Sequence, residues 1–302
     1  MIDERFHELL DEAQQTFASG DLEGALRLFG EAEELARENG EAELADQAQC
    51  NAAYVRIEMG SAEAEIPGLR KLFMRAGSDR NRWAAAYNLA VAFDICNDLD
   101  NATHWAARSA EIADRTDDER ARVRCSNIAG VLSLRHSMFC EAEKHFGVAL
   151  DCLQKPESTN DKTHRAAVLG NLGYTLICND RLQDGLELCE AARRDLEDLQ
   201  GDHLLYENLQ DLCYGYILDD QLERANDCGE RALALAEQFD DLQVMKNCLF
   251  LLSETAVRRG DNFRARRYLR ELTNFYPEID MNEEIIDVFL ATDLTNVVNL
   301  RG

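Results

Sequence analysis

Asparagine recurs at positions in this chain where a helix would not be expected to favour it. Asn51, Asn88 and Asn171 each lie in a stretch with apolar helical periodicity, and asparagine is a poor helix former. A carboxamide both donates and accepts hydrogen bonds, so a series of them could hold a peptide backbone without reading its sequence. Tyrosines one turn away would add contact area and a hydroxyl group. The candidate binding residues from this pattern are Asn51, Tyr54, Tyr87, Asn88, Asn127, Asn171, Tyr174, Gln210 and Tyr214.

The same asparagines have a second interpretation. They could be structural residues whose amide groups tie neighbouring helices together, in which case they would not be free to bind a ligand. The sequence leaves both interpretations open.

Two arginines extend the candidate binding set. Arg124 and Arg135 occur in a chain that is otherwise acidic, and the planar guanidinium group binds carboxylates and phosphates through paired hydrogen bonds. They could therefore hold an acidic group of a partner. Alternatively, they could pair with acidic neighbours such as Asp118 and Glu119.

The sequence contains no recognisable catalytic or metal-binding motif. His136, Cys140 and His145 are nearest to a metal-ligand set, but Cys140 and His145 are five residues apart, a spacing that does not favour convergence on one ion. Motifs for zinc proteases, phosphate-binding loops, dinucleotide binding and serine hydrolases are missing. We therefore predict a protein that is not an enzyme, with no metal and no cofactor.

The charge of the chain restricts its partners. Its 302 residues include 58 acidic and 32 basic side chains, which gives a formal net charge of −26. Nucleic-acid binding requires clustered basic residues to neutralise phosphates, so we expect no nucleic-acid partner. The charge would favour a basic protein or peptide, although it could also serve solubility alone. A run of arginines between positions 258 and 270 could dock an acidic partner.

Cysteine spacing and hydropathy predict a cytoplasmic protein without membrane contact. The chain has ten cysteines, none of which form a CxxC pair, as expected for reduced thiols that behave as small apolar side chains. The first residues are acidic, unlike a secretory signal. Its apolar stretches fall short of the roughly 20 residues that a membrane-spanning helix needs.

A small residue returns about every forty residues, and the elements that position the candidate site follow from it. The positions are 25, 65, 102, 142, 185, 225 and 265, so six steps cover 240 residues. Turn pairs such as Gly20-Asp21 and Asn179-Asp180 precede them, and apolar residues recur at helical spacing on both sides. Each unit is therefore predicted to be a helical hairpin whose two helices approach closely at the small residue.

The repeated unit resembles the tetratricopeptide repeat (TPR) family. The resemblance is carried by Asn88-Leu89-Ala90 and Asn171-Leu172-Gly173 before the turn, by Ala142-x3-Phe146-x2-Ala149 after it, and by Pro277 at the closing position. The period is similar to the long repeats of kinesin light chain and of bacterial peptide-sensing TPR regulators. The resemblance implies an all-α, right-handed α-solenoid of about seven hairpins with a C-terminal capping helix, whose first helices line a concave face.

We predict two regions in the chain. Residues 1–280 form the solenoid, and residues 281–302 form a capping or docking helix and a loosely held tail, with self-association through that helix as one alternative. Glu65 at a small position and Pro67 in the same helix predict a bent or shortened helix there. The repeats are predicted at 3–39, 42–77, 80–116, 118–156, 162–200, 203–240 and 242–277.

The function implied by the resemblance is the binding of another protein or peptide. The leading hypothesis is a noncatalytic adaptor or regulatory scaffold that uses the concave face of the TPR superhelix. The alternative is a ligand-responsive signalling switch that sequesters and releases an effector protein.

Overall fold

A computed structural model of the chain describes residues 2–116, 118–156, 158–199, 201–276, 283–292 and 299–301. All regular structure in these ranges is helical, which confirms the all-α prediction. The helices are α1 (Ile2–Ala18), α2 (Leu22–Glu38), α3 (Ala42–Arg56), α4 (Ala62–Arg75), α5 (Asp79–Ile95), α6 (Leu99–Ala113), α7 (Glu119–Arg135), α8 (Phe139–Cys152), α9 (Thr159–Cys178), α10 (Leu182–Asp198), α11 (Asp202–Leu218), α12 (Leu222–Gln238), α13 (Leu242–Arg258), α14 (Asn262–Thr273) and α15 (Glu283–Ala291).

Helices α1 to α14 form seven consecutive hairpins, and one residue in each turn has a left-handed backbone. This conformation is easy for glycine and tolerable for asparagine and aspartate. An aspartate after the turn often caps the second helix: Asp21 Oδ1 accepts a 2.8 Å hydrogen bond from Gly24 N, and Asp261 Oδ1 accepts one of 3.0 Å from Arg264 N. The seven left-handed turn residues are Gly20, Gly60, Asn97, Ser137, Asp180, Asp220 and Gly260.

The repeated small residues lie where the two helices of a hairpin meet. The residues at positions 25, 102, 142, 185, 225 and 265 are all buried, as the repeat predicted. The exception is Glu65, whose carboxylate is paired with the Arg56 guanidinium at 2.7 Å. In that hairpin a π-helical turn, Ile57–Ser61, joins α3 to α4, and Pro67 lies inside α4. The expected irregularity lies at this turn, whereas α4 itself is a single helix of 14 residues.

Helices α9 and α10 cross at a very short distance. A Cβ atom built on Gly185 would be 2.5 Å from the carbonyl oxygen of Gly173, and one on Gly173 would be 2.5 Å from Cys189 Sγ. Real Cβ atoms do not approach other heavy atoms so closely, so both positions require glycine. This crossing fixes the position of α9 relative to α10. Helix α9 carries part of the candidate site.

The chain divides into two compact units, Met1–Leu132 and Ser133–Gly302. In the first, α1 packs on α3 and α3 on α5; in the second, α9 packs on α11 and α11 on α13. The first helices of successive hairpins are thus neighbours within each unit. This arrangement brings residues at equivalent repeat positions onto one face of each unit, which we call its first-helix face.

Helix α15 covers the last hairpin. Ile286 is buried against a cluster that includes Leu249, Tyr268 and Leu269, with Phe289 packed at its edge. The capping helix of the predicted fold is therefore present. The predicted boundary at residue 280, like Pro277, lies outside the described residues.

The crossing of α9 and α10 provides a test of the packing. Gly185→Ala should lower the free energy of unfolding by about 1–3 kcal/mol, because its methyl group would collide with backbone that cannot move away. Gly147→Ala on α8 is the matched control, since nothing lies within 4 Å of its Cβ position, and it should raise stability by up to about 1 kcal/mol. Urea denaturation of both variants measures the difference. Equal effects would contradict the packing role of Gly185.

Candidate functional site

Aromatic side chains line part of the first-helix face in the first unit. The ring of Tyr54 on α3 lies 5.8 Å from that of Phe17 and 6.5 Å from that of Tyr87 on α5, and Trp83 stacks on Tyr87 at 5.9 Å. Loss of water around the hydroxyl raises the pKa of Tyr54 well above its ordinary value, whereas the positive charge of Arg124 opposes the rise. The structure thus brings together three predicted residues, Tyr54, Tyr87 and Arg124.

The two predicted asparagines of this unit differ in their environment. Asn88 is only 5% exposed, and its Nδ2 donates a 2.8 Å hydrogen bond to the backbone carbonyl of Cys50 on α3. Asn81, two turns earlier on α5, makes the same kind of contact with the carbonyl of Glu43 at 2.8 Å. Asn88 therefore ties α5 to α3, which is the structural role left open by the sequence. Asn51 is half-buried on α3.

This difference predicts unequal effects of alanine substitution. Asn88→Ala should lower the free energy of unfolding by about 1–2 kcal/mol, because a buried hydrogen bond between helices is lost. Asn51→Ala, on the neighbouring helix, should change it by less than about 0.5 kcal/mol. Chemical denaturation of the two variants tests this, and a smaller loss for Asn88→Ala than for Asn51→Ala would refute the structural assignment.

Four other predicted residues are partly or fully buried. Asn127 and Arg135 on α7 and Asn171 on α9 are half-buried. Gln210 on α11 is completely buried. Gln210 is therefore not accessible to a ligand in this conformation.

In the second unit, the first-helix face holds a piece of the chain itself, residues 299–301. Tyr174 on α9 is completely buried beneath it, with the ring of Tyr214 on α11 at 6.1 Å. The Leu300 amide donates to the Tyr174 hydroxyl at 3.1 Å, and the Leu300 carbonyl accepts from Asn247 Nδ2 on α13 at 3.0 Å. Side chains of two helices thus hold both backbone groups of one residue.

Asn299 anchors the beginning of this segment. The Tyr174 hydroxyl donates to Asn299 Oδ1 at 3.3 Å, and Asn299 Nδ2 donates to the carbonyl of Leu134 at 3.1 Å. The same carboxamide oxygen accepts from the Arg301 amide at 3.0 Å, which closes a local turn. The tail was expected to be loosely held, and for residues 299–301 this expectation is wrong.

Arg301 is bound by two carboxylates of α11. Its Nη1 donates to Glu207 Oε2 at 3.0 Å and its Nη2 to Asp211 Oδ2 at 2.6 Å. The guanidinium carbon lies 5.4 Å from the centre of the Tyr174 ring, within range of a cation–π interaction. The side chains of Asp211, Arg301 and Glu207 are 1%, 14% and 42% exposed, so the ion pair runs from the interior towards solvent. We call Tyr174, Glu207, Asp211 and Asn247 the segment site.

Burial has the largest effect on the pKa values of the side chains in the segment site. It raises the pKa of Asp211 to about 7, with Arg301 opposing and Glu207 adding to the rise. Burial likewise raises the pKa of Tyr174, which keeps its hydroxyl protonated as a donor. The site therefore presents a carboxylate whose charge depends strongly on its cationic partner.

The residues predicted from the sequence did not include Glu207, Asp211 or Asn247. The repeat register contained the signal, because Asp211 lies 14 residues before Ala225, just as Asn88 lies 14 before Ala102 and Asn171 lies 14 before Gly185. Asp211, and not Gln210, is thus the equivalent of the recurrent asparagine.

Glu207 and Asn247 occupy a second repeat position one helical turn earlier. They lie 18 residues before Ala225 and Ala265 respectively, where Arg124 stands before Ala142. Both residues lie outside the register of Asn51, Asn88 and Asn171, the position on which the predicted set was based.

The burial of Asp211 predicts a pH dependence of stability. Its folded-state pKa lies above the ordinary value of 3.8, so the folded protein binds the proton more tightly than the unfolded chain between these values. Stability that depends on this proton is lost as pH rises, by at most about 1.4 kcal/mol per pH unit. Urea denaturation from pH 5 to pH 8 should show this decline in wild type relative to Asp211→Asn. If the free energy of unfolding depends on pH in the same way in both proteins, the prediction is contradicted.

Comparison with known protein families gives one match, to part of the chain. Residues 70–133 match a family described as a domain of unknown function, DUF6340. No curated protein matches the chain.

Several solved structures share the architecture at low sequence identity. The apo form of the quorum sensor NprR from B. thuringiensis is 13% identical, with 96% of this chain and 81% of that one covered and a TM-score of 0.67. NprR in complex with its cognate peptide NprX is 14% identical, with 95% and 82% covered and a TM-score of 0.66. A Rap protein complexed with Competence and Sporulation Factor is 12% identical, with 95% and 99% covered and a TM-score of 0.60. The fold is that of TPR-like proteins.

No helix among the described residues is long and apolar enough to cross a membrane. Within the same part of the chain, no three His, Cys, Asp or Glu side chains are grouped so that they could hold a metal ion.

Proposed function

We propose that this protein is a noncatalytic regulatory protein that binds a peptide or a peptide segment of another protein on its first-helix face. The observation that carries the proposal is the contact made with Leu300, whose backbone amide and carbonyl are held by Tyr174 and Asn247. Side-chain hydrogen bonds to backbone groups do not depend on the identity of the bound residue. The same face can therefore hold a segment from another chain.

The fold neighbours support the proposal by analogy. NprR was solved with its cognate peptide NprX, and a Rap protein was solved with Competence and Sporulation Factor. A chain with the same fold and a face that already binds polypeptide is suited to the same class of ligand.

The aromatic face of the first unit is part of this proposal. Tyr54, Tyr87 and Arg124 offer ring surface and an exposed positive charge on helices of the same type. Such a surface could contact a peptide ligand independently of the segment site.

The presence of residues 299–301 in the segment site favours the switch over the adaptor. An adaptor requires a site that is ready for its partner. A site that the chain itself occupies must be vacated first, so ligand binding is coupled to release of a segment.

Selection from a random peptide display library tests the proposal. Selected peptides that carry a photoreactive group should label residues of α9, α11 and α13, because these helices bear the segment site. The second helices α10, α12 and α14 serve as the internal control and should remain unlabelled. Failure to enrich any peptide, or labelling confined to the second helices, would overturn the proposed function.

A further inference from the structure

The segment site makes two chemically different kinds of contact with residues 299–301. The contacts of Tyr174 and Asn247 involve the backbone of Leu300, whose side chain is itself buried, with 3% of the residue exposed. The contacts of Glu207 and Asp211 involve the guanidinium group of Arg301. The first kind would accept many sequences, whereas the second selects for a cation.

Asp211 favours a cation at the position of Arg301. A buried carboxylate is costly unless an opposite charge and hydrogen bonds compensate it. Asp211 is 1% exposed, and the cation it contacts is Arg301. A neutral side chain in this place would leave the carboxylate uncompensated or force it to take up a proton.

Geometry favours arginine over lysine for this cation. One guanidinium group reaches Glu207 through Nη1 and Asp211 through Nη2, while its carbon lies near the Tyr174 ring. A planar fork can make these contacts together, whereas an ammonium group is a point charge with a different geometry.

The docking of residues 299–301 leaves one donor unused. Among the described residues, Nε of Arg301 is buried and has no hydrogen-bond partner. An unsatisfied buried donor weakens the docked state. A ligand that presents arginine with better geometry, or that adds contacts along the helices, would therefore compete effectively.

We propose that residues 299–301 are a built-in competitor for the peptide site, and that the natural partner carries an apolar residue followed by arginine, which take the places of Leu300 and Arg301. This inference rests on the proposed function and specifies its ligand. Because the competitor is part of the same chain, it acts at a high effective concentration. A free ligand must therefore make further contacts along the first-helix face to displace it.

A binding assay with a defined probe tests the proposal. The probe is a fluorescent synthetic peptide with the sequence of residues 295–302, TNVVNLRG, and its control carries citrulline, the neutral analogue, in place of arginine. The protein is the full chain as wild type, as the double variant Leu300→Ser/Arg301→Gln, and as the control variant Arg270→Gln. Arg270 is exposed on α14, so its substitution makes the same change of charge as Arg301→Gln, away from the segment site.

Fluorescence anisotropy should show that the double variant binds the arginine probe at least about tenfold more tightly than wild type, because its site is empty. Arg270→Gln should behave as wild type, and the citrulline probe should bind at least about tenfold more weakly to the double variant. Equal affinity of wild type and double variant would overturn the competitor role. Equal binding of the two probes would overturn the requirement for arginine.

A measurement on wild type alone covers the case in which the double variant does not fold. The Leu300 amide is protected by its hydrogen bond to Tyr174, so excess arginine probe should accelerate hydrogen exchange in the fragment that contains it. The citrulline probe should not. No acceleration at saturating probe would overturn the inference.

The two proposals fail in different ways. If library peptides label the first helices but residues 299–301 neither compete nor select for arginine, the proposed function stands and this inference falls. If no peptide binds to wild type or to the double variant, both fall.

Discussion

The close approach of the two helices in each hairpin is the constraint on which the rest of the structure depends. A small residue at the crossing allows this approach, and at Gly173 and Gly185 only a hydrogen fits between the helices. Because the crossings recur at similar intervals, residues at a fixed distance before each crossing lie on the equivalent face of their own hairpin. Asn88, Asn171 and Asp211 share one such position. The register of the packing therefore determines which side chains can form a binding surface, and substitutions at that position can change its chemistry without changing the fold.

The sequence was sufficient to predict the architecture because its signals are local. Small residues, turn residues and apolar periodicity each act within a hairpin, and the seven left-handed turns fall where those signals place them. The role of Asn88 could not be decided in advance, since a carboxamide that bonds a neighbouring helix and one that bonds a ligand have the same periodicity. The position of residues 299–301 could not be predicted from the sequence either. It depends on contacts with residues 53 or more positions away, such as Asn247, Asp211 and Glu207, and no local pattern encodes such contacts.

Individual ion pairs matter more in this structure than the net charge of the chain. The chain is strongly acidic, yet the run of arginines in α13 and α14 is engaged within the protein. Arg258 pairs with Glu254 at 2.7 Å, Arg264 with Glu230 at 3.7 Å, and Arg266 with Asp287. Such exposed or half-exposed pairs contribute little to stability. The pair of Arg301 with Asp211 differs because it is buried, so the removal of either partner has a large effect. This difference in burial distinguishes Arg301 from the other arginines and is the reason that the proposed recognition site is centred on it.

Residues 299–301 also connect helices that are not all immediate neighbours in the stack of hairpins. They bond to Leu134 at the end of α7, to Tyr174 on α9, to Glu207 and Asp211 on α11, and to Asn247 on α13. In repeat proteins each unit is stabilised mainly by its immediate neighbours, so parts of the array can melt separately. Residues 299–301 oppose such separate melting, because they bond to four alternate helices and the melting of any one of these helices would break bonds to the segment. When these contacts break, the second unit should therefore melt less cooperatively, so the proposed ligand-accepting state would be less rigid than the state in which residues 299–301 are docked.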